Sequence, residues 1–149
     1  MSSKQATPTR LESFWHAATL ADGRTAHKLT VRGLRAKGPN GPDGFLRTHW
    51  ASRKRYGEMV YGLVLGPGRP TYTCPVQLLF CRGYAARPMD TDNLYASAKP
   101  ILDALRRAGV FVDDSGEWLA LTCEQRKRSE LGADWEVVIA RRFVGEGVK

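Results

Sequence analysis

Cysteine is scarce in this chain: 149 residues carry three, Cys74, Cys81 and Cys123, and no two stand in a Cys-x-x-Cys pair. That spacing argues against a structural zinc site and a disulfide framework, and the three are read as reduced, largely buried thiols. Also missing is any apolar stretch near the ~18 residues that cross a bilayer, so no membrane partner is expected. The polar opening, Met1 to Pro8, lacks the apolar core of a signal peptide, and the expected compartment is the cytoplasm. No Gly-x-x-x-x-Gly-Lys phosphate loop is present, which disfavours a small-molecule phosphotransferase. Neither an internal repeat nor an interdomain linker interrupts the chain, whose length suits one domain able to bury a core.

Acidic residues are the other shortage. Asp and Glu number 15 against 23 Lys and Arg, leaving a formal charge of +8 and a pI near 9.8. Such an excess favours an anionic partner, nucleic acid being the commonest, over a merely soluble basic protein. With 42% hydrophobic and 26% charged residues, the composition is that of a folded domain rather than a basic tail.

What is present reads as alternating elements. Residues 1–26 are an N-terminal extension, partly disordered, in which Ser13 caps a short apolar turn containing Phe14, Trp15 and Ala18. The domain proper spans 27–149. His27–Gly33 alternates as a strand, and Lys37–Gly44 is a Gly/Pro-rich loop. Leu46–Leu65 has helical spacing, with Trp50, Tyr56 or Gly57, Val60, Tyr61 and Val64 able to share a face. Pro75–Tyr84 is an apolar strand. Leu94–Arg107 is an amphipathic helix stopped by Gly109, and Pro100 inside it predicts a kink or a handover from a short turn. Glu117–Lys127 and Asp134–Phe143 alternate as two strands of a hairpin. The class is α+β.

The chemistry gathers around Asp90-Thr91-Asp92-Asn93. In extended backbone residues i and i+2 share a side, so the two carboxylates converge there. Their repulsion needs an offset: a hard divalent cation, which takes one or two carboxylates plus water and phosphate, supplies it directly, and a shared proton or a helix N-terminus are the alternatives. The alternative is structural: Asp92 or Asn93 as a helix N-cap and Asp90 as a solvated loop acid. A second pair, Asp113-Asp114, follows the helix. Leu94–Ala108 as an unbroken helix runs about 22 Å and Gly109–Asp114 reaches at most about 20 Å, so a return to the first pair is barely within reach for a straight helix and easier if Pro100 breaks it. The other reading of Asp113-Asp114-Ser115-Gly116 is a simple turn. Lys99 and Asp103, four apart, face one side of the helix: Lys99 either contacts a phosphate or forms a surface ion pair of little energetic weight.

Asp90-Thr-Asp-Asn-Leu94, Lys99-Pro-Ile-Leu-Asp103-Ala-Leu105 and Ala108-Gly-Val-Phe-Val-Asp-Asp114 together resemble the signature of RusA-like Holliday-junction resolvases, small homodimeric endonucleases often encoded by phages and prophages. Leu46-Arg-Thr-His-Trp50 also resembles the family's first helix entry. The detailed match covers about 25 residues, with a similar order of elements over about two-thirds of the chain. The resemblance implies a small mixed or antiparallel sheet with two main helices. It also implies that Asp90, Asp92 and Asp114 bind Mg²⁺ (or Mn²⁺), that Lys99 is catalytic, and that a homodimer cuts four-way junctions by phosphodiester hydrolysis. About three extra residues separate Asn93 from Lys99 relative to the family pattern, nearly one helical turn, and the extension before His27 has no family counterpart. Arg82, Arg87, Arg106, Arg107, Arg126, Lys127 and Arg128 are the candidate DNA-backbone contacts. Two other functions fit the same residues: a nuclease for other branched or flapped nucleic acids, and a non-catalytic DNA-binding protein.

Overall fold

Alternating side chains become strands, and 3.6-period stripes become helices, in the computed structural model, which describes residues 10–39 and 50–142. In chain order the elements are β1 (Glu12–Thr19), β2 (Thr25–Arg32), α1 (Trp50–Val64), β3 (Val76–Tyr84), α2 (Thr91–Arg107), β4 (Leu119–Lys127), α3 (Arg128–Leu131) and β5 (Trp135–Arg141). The strands form one mixed sheet in the order β1-β2-β5-β3-β4. Only β3 and β4 run parallel; the other neighbours are antiparallel. The expected α+β class, with two substantial helices, holds.

One sheet face carries Trp15, Leu29, Val31, Val76, Leu78, Phe80, Leu119, Trp135, Val137 and Ile139. Against it pack Tyr56, Val60, Leu63 and Val64 of α1 and Leu94, Ala98, Ile101, Leu102 and Leu105 of α2. Truncating any large member of this layer to Ala should cost about 2–5 kcal/mol. Among the described residues no helix is long and apolar enough to cross a membrane.

Four expectations need correction. Ser13 caps no turn: residues 12–19 form an edge strand of the same sheet, with Ser13 paired to Val31, its hydroxyl donating to Leu63 O at 2.8 Å and the Trp15 indole donating to Val64 O at 3.0 Å. The division at residue 26 therefore does not separate 12–26 from the domain. β4 and β5 are not a hairpin, because β3 lies between them and pairs with both. And α2 does not hand over near Pro100; it begins at Thr91 and runs through the proline. Buried side chains on both sides of Pro100 hold the helix to the core and offset the one hydrogen bond the ring removes. The start of the first helix, residues 46–49, most of the 37–44 loop and Phe143 lie outside the described residues.

Cys81 is buried, whereas Cys74 and Cys123 are only partly so. Burial pushes the Cys123 thiol up to about 11, which keeps it protonated and unreactive at neutral pH.

Gly83, near the end of β3, shows how tightly the sheet closes on the α3–β5 connection. Its amide donates to Asp134 O at 2.8 Å, and an added Cβ would stand 2.6 Å from Ala133 O. Gly83→Ala should cost about 1–3 kcal/mol through overpacking. Gly62→Ala, on the exposed face of α1 with open space at the Cβ, should gain roughly 0.5–1 kcal/mol from helix propensity. Thermal denaturation of the two variants checks this: the melting temperatures should move in opposite directions.

Candidate active site

The chain leaves β3 at Tyr84, crosses a short loop and enters α2 at Thr91. Asp90 is the last residue before the helix, with extended backbone (φ −69°, ψ 167°). Its Oδ1 accepts from the Asn93 amide at 2.8 Å, its Oδ2 from the Asn93 side chain at 3.2 Å, and its carbonyl takes the first helical bond from Leu94. Asp90 is thus the N-cap, rather than Asp92 or Asn93. Asp92 is an exposed acid in the first turn, where the unpaired amides at the helix start favour negative charge. Because Asp92 is already helical, the two-residue alternation of extended chain does not apply to this pair.

Lys99 lies two helical turns beyond Asp92, about 10 Å along the axis and on the same face. Its Nζ is 3.3 Å from Asp103 Oδ1 and 3.5 Å from Asp114 Oδ2. The second acidic pair therefore does return to α2, meeting its middle through Lys99. Asp113 lies beside the same helix, 4.0 Å from Arg106, and its carboxylate accepts the Asp114 amide at 2.9 Å. The return is anchored at the helix end. Gly109 takes φ +80°, its amide bonds Arg106 O, and the Val110 amide bonds Leu105 O. That double bond pattern with a left-handed glycine is a Schellman motif, and it supplies the Gly109 stop expected from the sequence.

The candidate cations divide. Parallel pairing sets Tyr84 beside Lys127, so Arg126, Lys127 and Arg128 stand at the same sheet end as the exposed Arg87 and the Asp90 loop. Arg106 and Arg107 are at the far end of α2, about 25 Å of helix away. Arg107 stacks over the Tyr61 ring at 3.8 Å and meets Glu58 at 2.9 Å, tying α2 to α1. Arg128 pairs with Asp134 at 3.2 Å, and Arg126 is 3.8 Å from Glu124. Arg82 is turned inward, unlike an open DNA contact. Its Nε donates to Ala36 O at 3.1 Å, its Nη1 to Gln125 Oε1 at 3.2 Å, and burial together with the charge of Arg35 holds its guanidinium below the usual range.

Gln125 was not among the sequence candidates, yet it makes two bonds to Met89, the residue before Asp90. Its signal was a polar residue closing the apolar row Leu119, Leu121, Cys123 of β4.

Asp90, Asp92 and Asp114 offer hard oxygen donors, which suit Mg²⁺ by chemistry. Among the described residues, no three His, Cys, Asp or Glu side chains are gathered as a metal-binding group. Mg²⁺ commonly takes only one or two protein carboxylates and completes its shell with water and other oxygen ligands, so three gathered acids are not a requirement for such an ion. No known family model matches the chain, and no curated protein matches it.

Asp103, by hydrogen bond and charge, holds the Lys99 ammonium above the usual lysine range; Asp114 adds to this and slight burial opposes it. With a raised folded value, any stabilisation by the pair is complete below about 10.4, the ordinary lysine value, and is lost as pH rises through the raised one. The lysine side chain is 62% exposed, so water screens the pair and the stability effect is small. An NMR titration of the Lys99 ammonium should give a midpoint above that of ordinary lysines. Asp103→Asn should lower it further than Asp114→Asn; equal shifts would remove the primacy of Asp103.

Proposed function

We propose that this protein is a divalent-metal-dependent endodeoxyribonuclease that hydrolyses branched DNA, four-way junctions first among them, acting as a homodimer in the cytoplasm. Support comes from Lys99, which reaches between Asp103 and Asp114 and so joins the second acidic pair to the helix begun by the first. An acidic strip on a chain of charge +8 is costly for binding a polyanion unless those carboxylates serve a cation.

Asp90, Asp92 and Asp114 are the proposed donors, one or two of which would hold the ion, with Mg²⁺ the expected one and Mn²⁺ able to replace it. When bound, such an ion supplies an activated water and neutralises charge on the phosphate. The chain's own residues do the rest. Lys99 is charged at neutral pH as any ordinary lysine is, Asp103 favours that form further, and the lysine places a positive group where charge develops on the phosphate oxygens. Asp90 fixes the helix start and with it the position of Asp92. Arg87, Arg126, Lys127 and Arg128, at the sheet end beside the Asp90 loop, would neutralise the DNA backbone, which makes affinity fall steeply with salt. Two symmetrical sites, one per protomer, suit the two strands cut in resolving a junction.

A second reading has its own support: Asp90 is a helix cap and Lys99–Asp103 an i, i+4 ion pair, so the acids already have structural roles in a non-catalytic DNA-binding protein. Incubation with a synthetic four-way junction and with linear duplex, each with Mg²⁺ and with EDTA, separates the two. Symmetrical Mg²⁺-dependent nicking of the junction is expected. Asp92→Asn should lower cleavage about 100-fold or more, since even residues supporting a metal ligand cost 10–100-fold, while junction binding persists. Unchanged cleavage by that variant would sink the metal assignment.

A further inference from the structure

We infer that Gln125 is the positioning residue of this site: its carboxamide fixes the backbone of Met89 and thereby sets where Asp90 opens α2. The inference rests on the proposed endonuclease reading for its consequence in cleavage, but not for its geometry.

The loop that leaves β3 passes over the end of β4, where Met89 has no strand to pair with. A half-buried peptide group in that position needs both an acceptor for its N–H and a donor for its C=O. Gln125 supplies both from one planar group. Its Oε1 accepts the Met89 amide at 3.0 Å, and its Nε2 donates to Met89 O at 2.7 Å. The side chain therefore imitates one rung of a β-ladder.

Two features make the clamp directional. Gln125 and Arg82 are partners in the parallel β3–β4 register, both on the row that faces the helices, and Arg82 Nη1 donates to Gln125 Oε1 at 3.2 Å. An oxygen receiving two donors cannot exchange places with the amide nitrogen, so the carboxamide has one orientation. Arg82 is held in turn by Ala36 O, which links the loop after β2 to the same support. Downstream, Met89 adjoins Asp90, whose carboxylate caps the Asn93 amide at 2.8 Å. Displacing Met89 moves the cap, and with it the first turn that carries Asp92. Such support by neighbours that never touch the reacting atoms is how preorganised sites keep their geometry.

Amide hydrogen exchange on the full chain tests this without any activity. Gln125→Met, of similar length and without hydrogen-bonding groups, should speed exchange at Met89 and Asn93 by about 10-fold or more as those protected donors open, leaving Leu78, Phe80 and Val137 in the sheet unchanged. Gln125→Glu keeps the acceptor for Met89 N–H and should retain protection there, and it serves as the second variant if the first does not fold. In junction cleavage Gln125→Met should act about 10-fold more slowly and need more Mg²⁺, as loss of supporting contacts does elsewhere. Unchanged exchange at Met89 in Gln125→Met overturns the clamp. Faster exchange with cleavage equal to the unaltered protein overturns its positioning role. Should the unaltered protein cut no branched DNA, the endonuclease reading fails instead, and exchange at Met89 and Asn93 still decides the clamp.

Discussion

β3 pairs in parallel with β4 on one side and antiparallel with β5 on the other, and the rest of the layout follows from that. A tight turn can join antiparallel strands but not parallel ones, so β3 and β4 require a crossover. The crossover is α2, and its apolar stripe has to be buried against the sheet and α1. Burying Leu94, Ala98, Ile101, Leu102 and Leu105 turns the opposite stripe outward, and that stripe carries Asp92, Lys99, Asp103 and Arg106. The chain must then travel back from the end of α2 to the start of β4. The Gly109 stop directs that return along the helix, which brings Asp113 and Asp114 beside Arg106 and Lys99.

Charge is distributed along this frame rather than concentrated at one point. Lys99 sits between two carboxylates, so part of the acidic strip is neutralised from within. Exposed cations border the loop end of the sheet, while Arg107 is spent on holding two helices together. Arg82 shows how position changes the meaning of a residue type. In sequence it is one more arginine in a basic chain; in the fold its place on the helix-facing row makes it part of the support under Met89.

Much of the fold was legible because it is local. β2, β3, the greater part of α2, the Gly109 stop and the strand character of β4 and β5 all follow from periods of 2 or 3.6 and from turn chemistry. β1 was missed because Trp15 is its only buried residue and apolar Phe14, Ala17 and Ala18 are exposed, so no in–out alternation betrays an edge strand. The cap was shifted to Asp92 or Asn93 because a helix boundary is set by a few competing hydrogen bonds, and Asn93 was satisfied by a different arrangement than spacing suggests. The β4–β5 hairpin was expected because neighbours in sequence usually pair.

The candidate site divides along the same line. By itself the sequence determined the residue types, the amphipathic stripe of α2, the Lys99–Asp103 pairing and the order in which two acidic pairs flank a helix. These depend on intervals of a few residues, where backbone geometry leaves little choice. Only the tertiary structure decided that β3 would insert between β4 and β5, that Asp114 would meet Lys99 rather than Asp90, and that Gln125 would close on Met89. Those contacts join residues far apart in the chain, and they are selected by burial of the whole core, a quantity no local spacing contains.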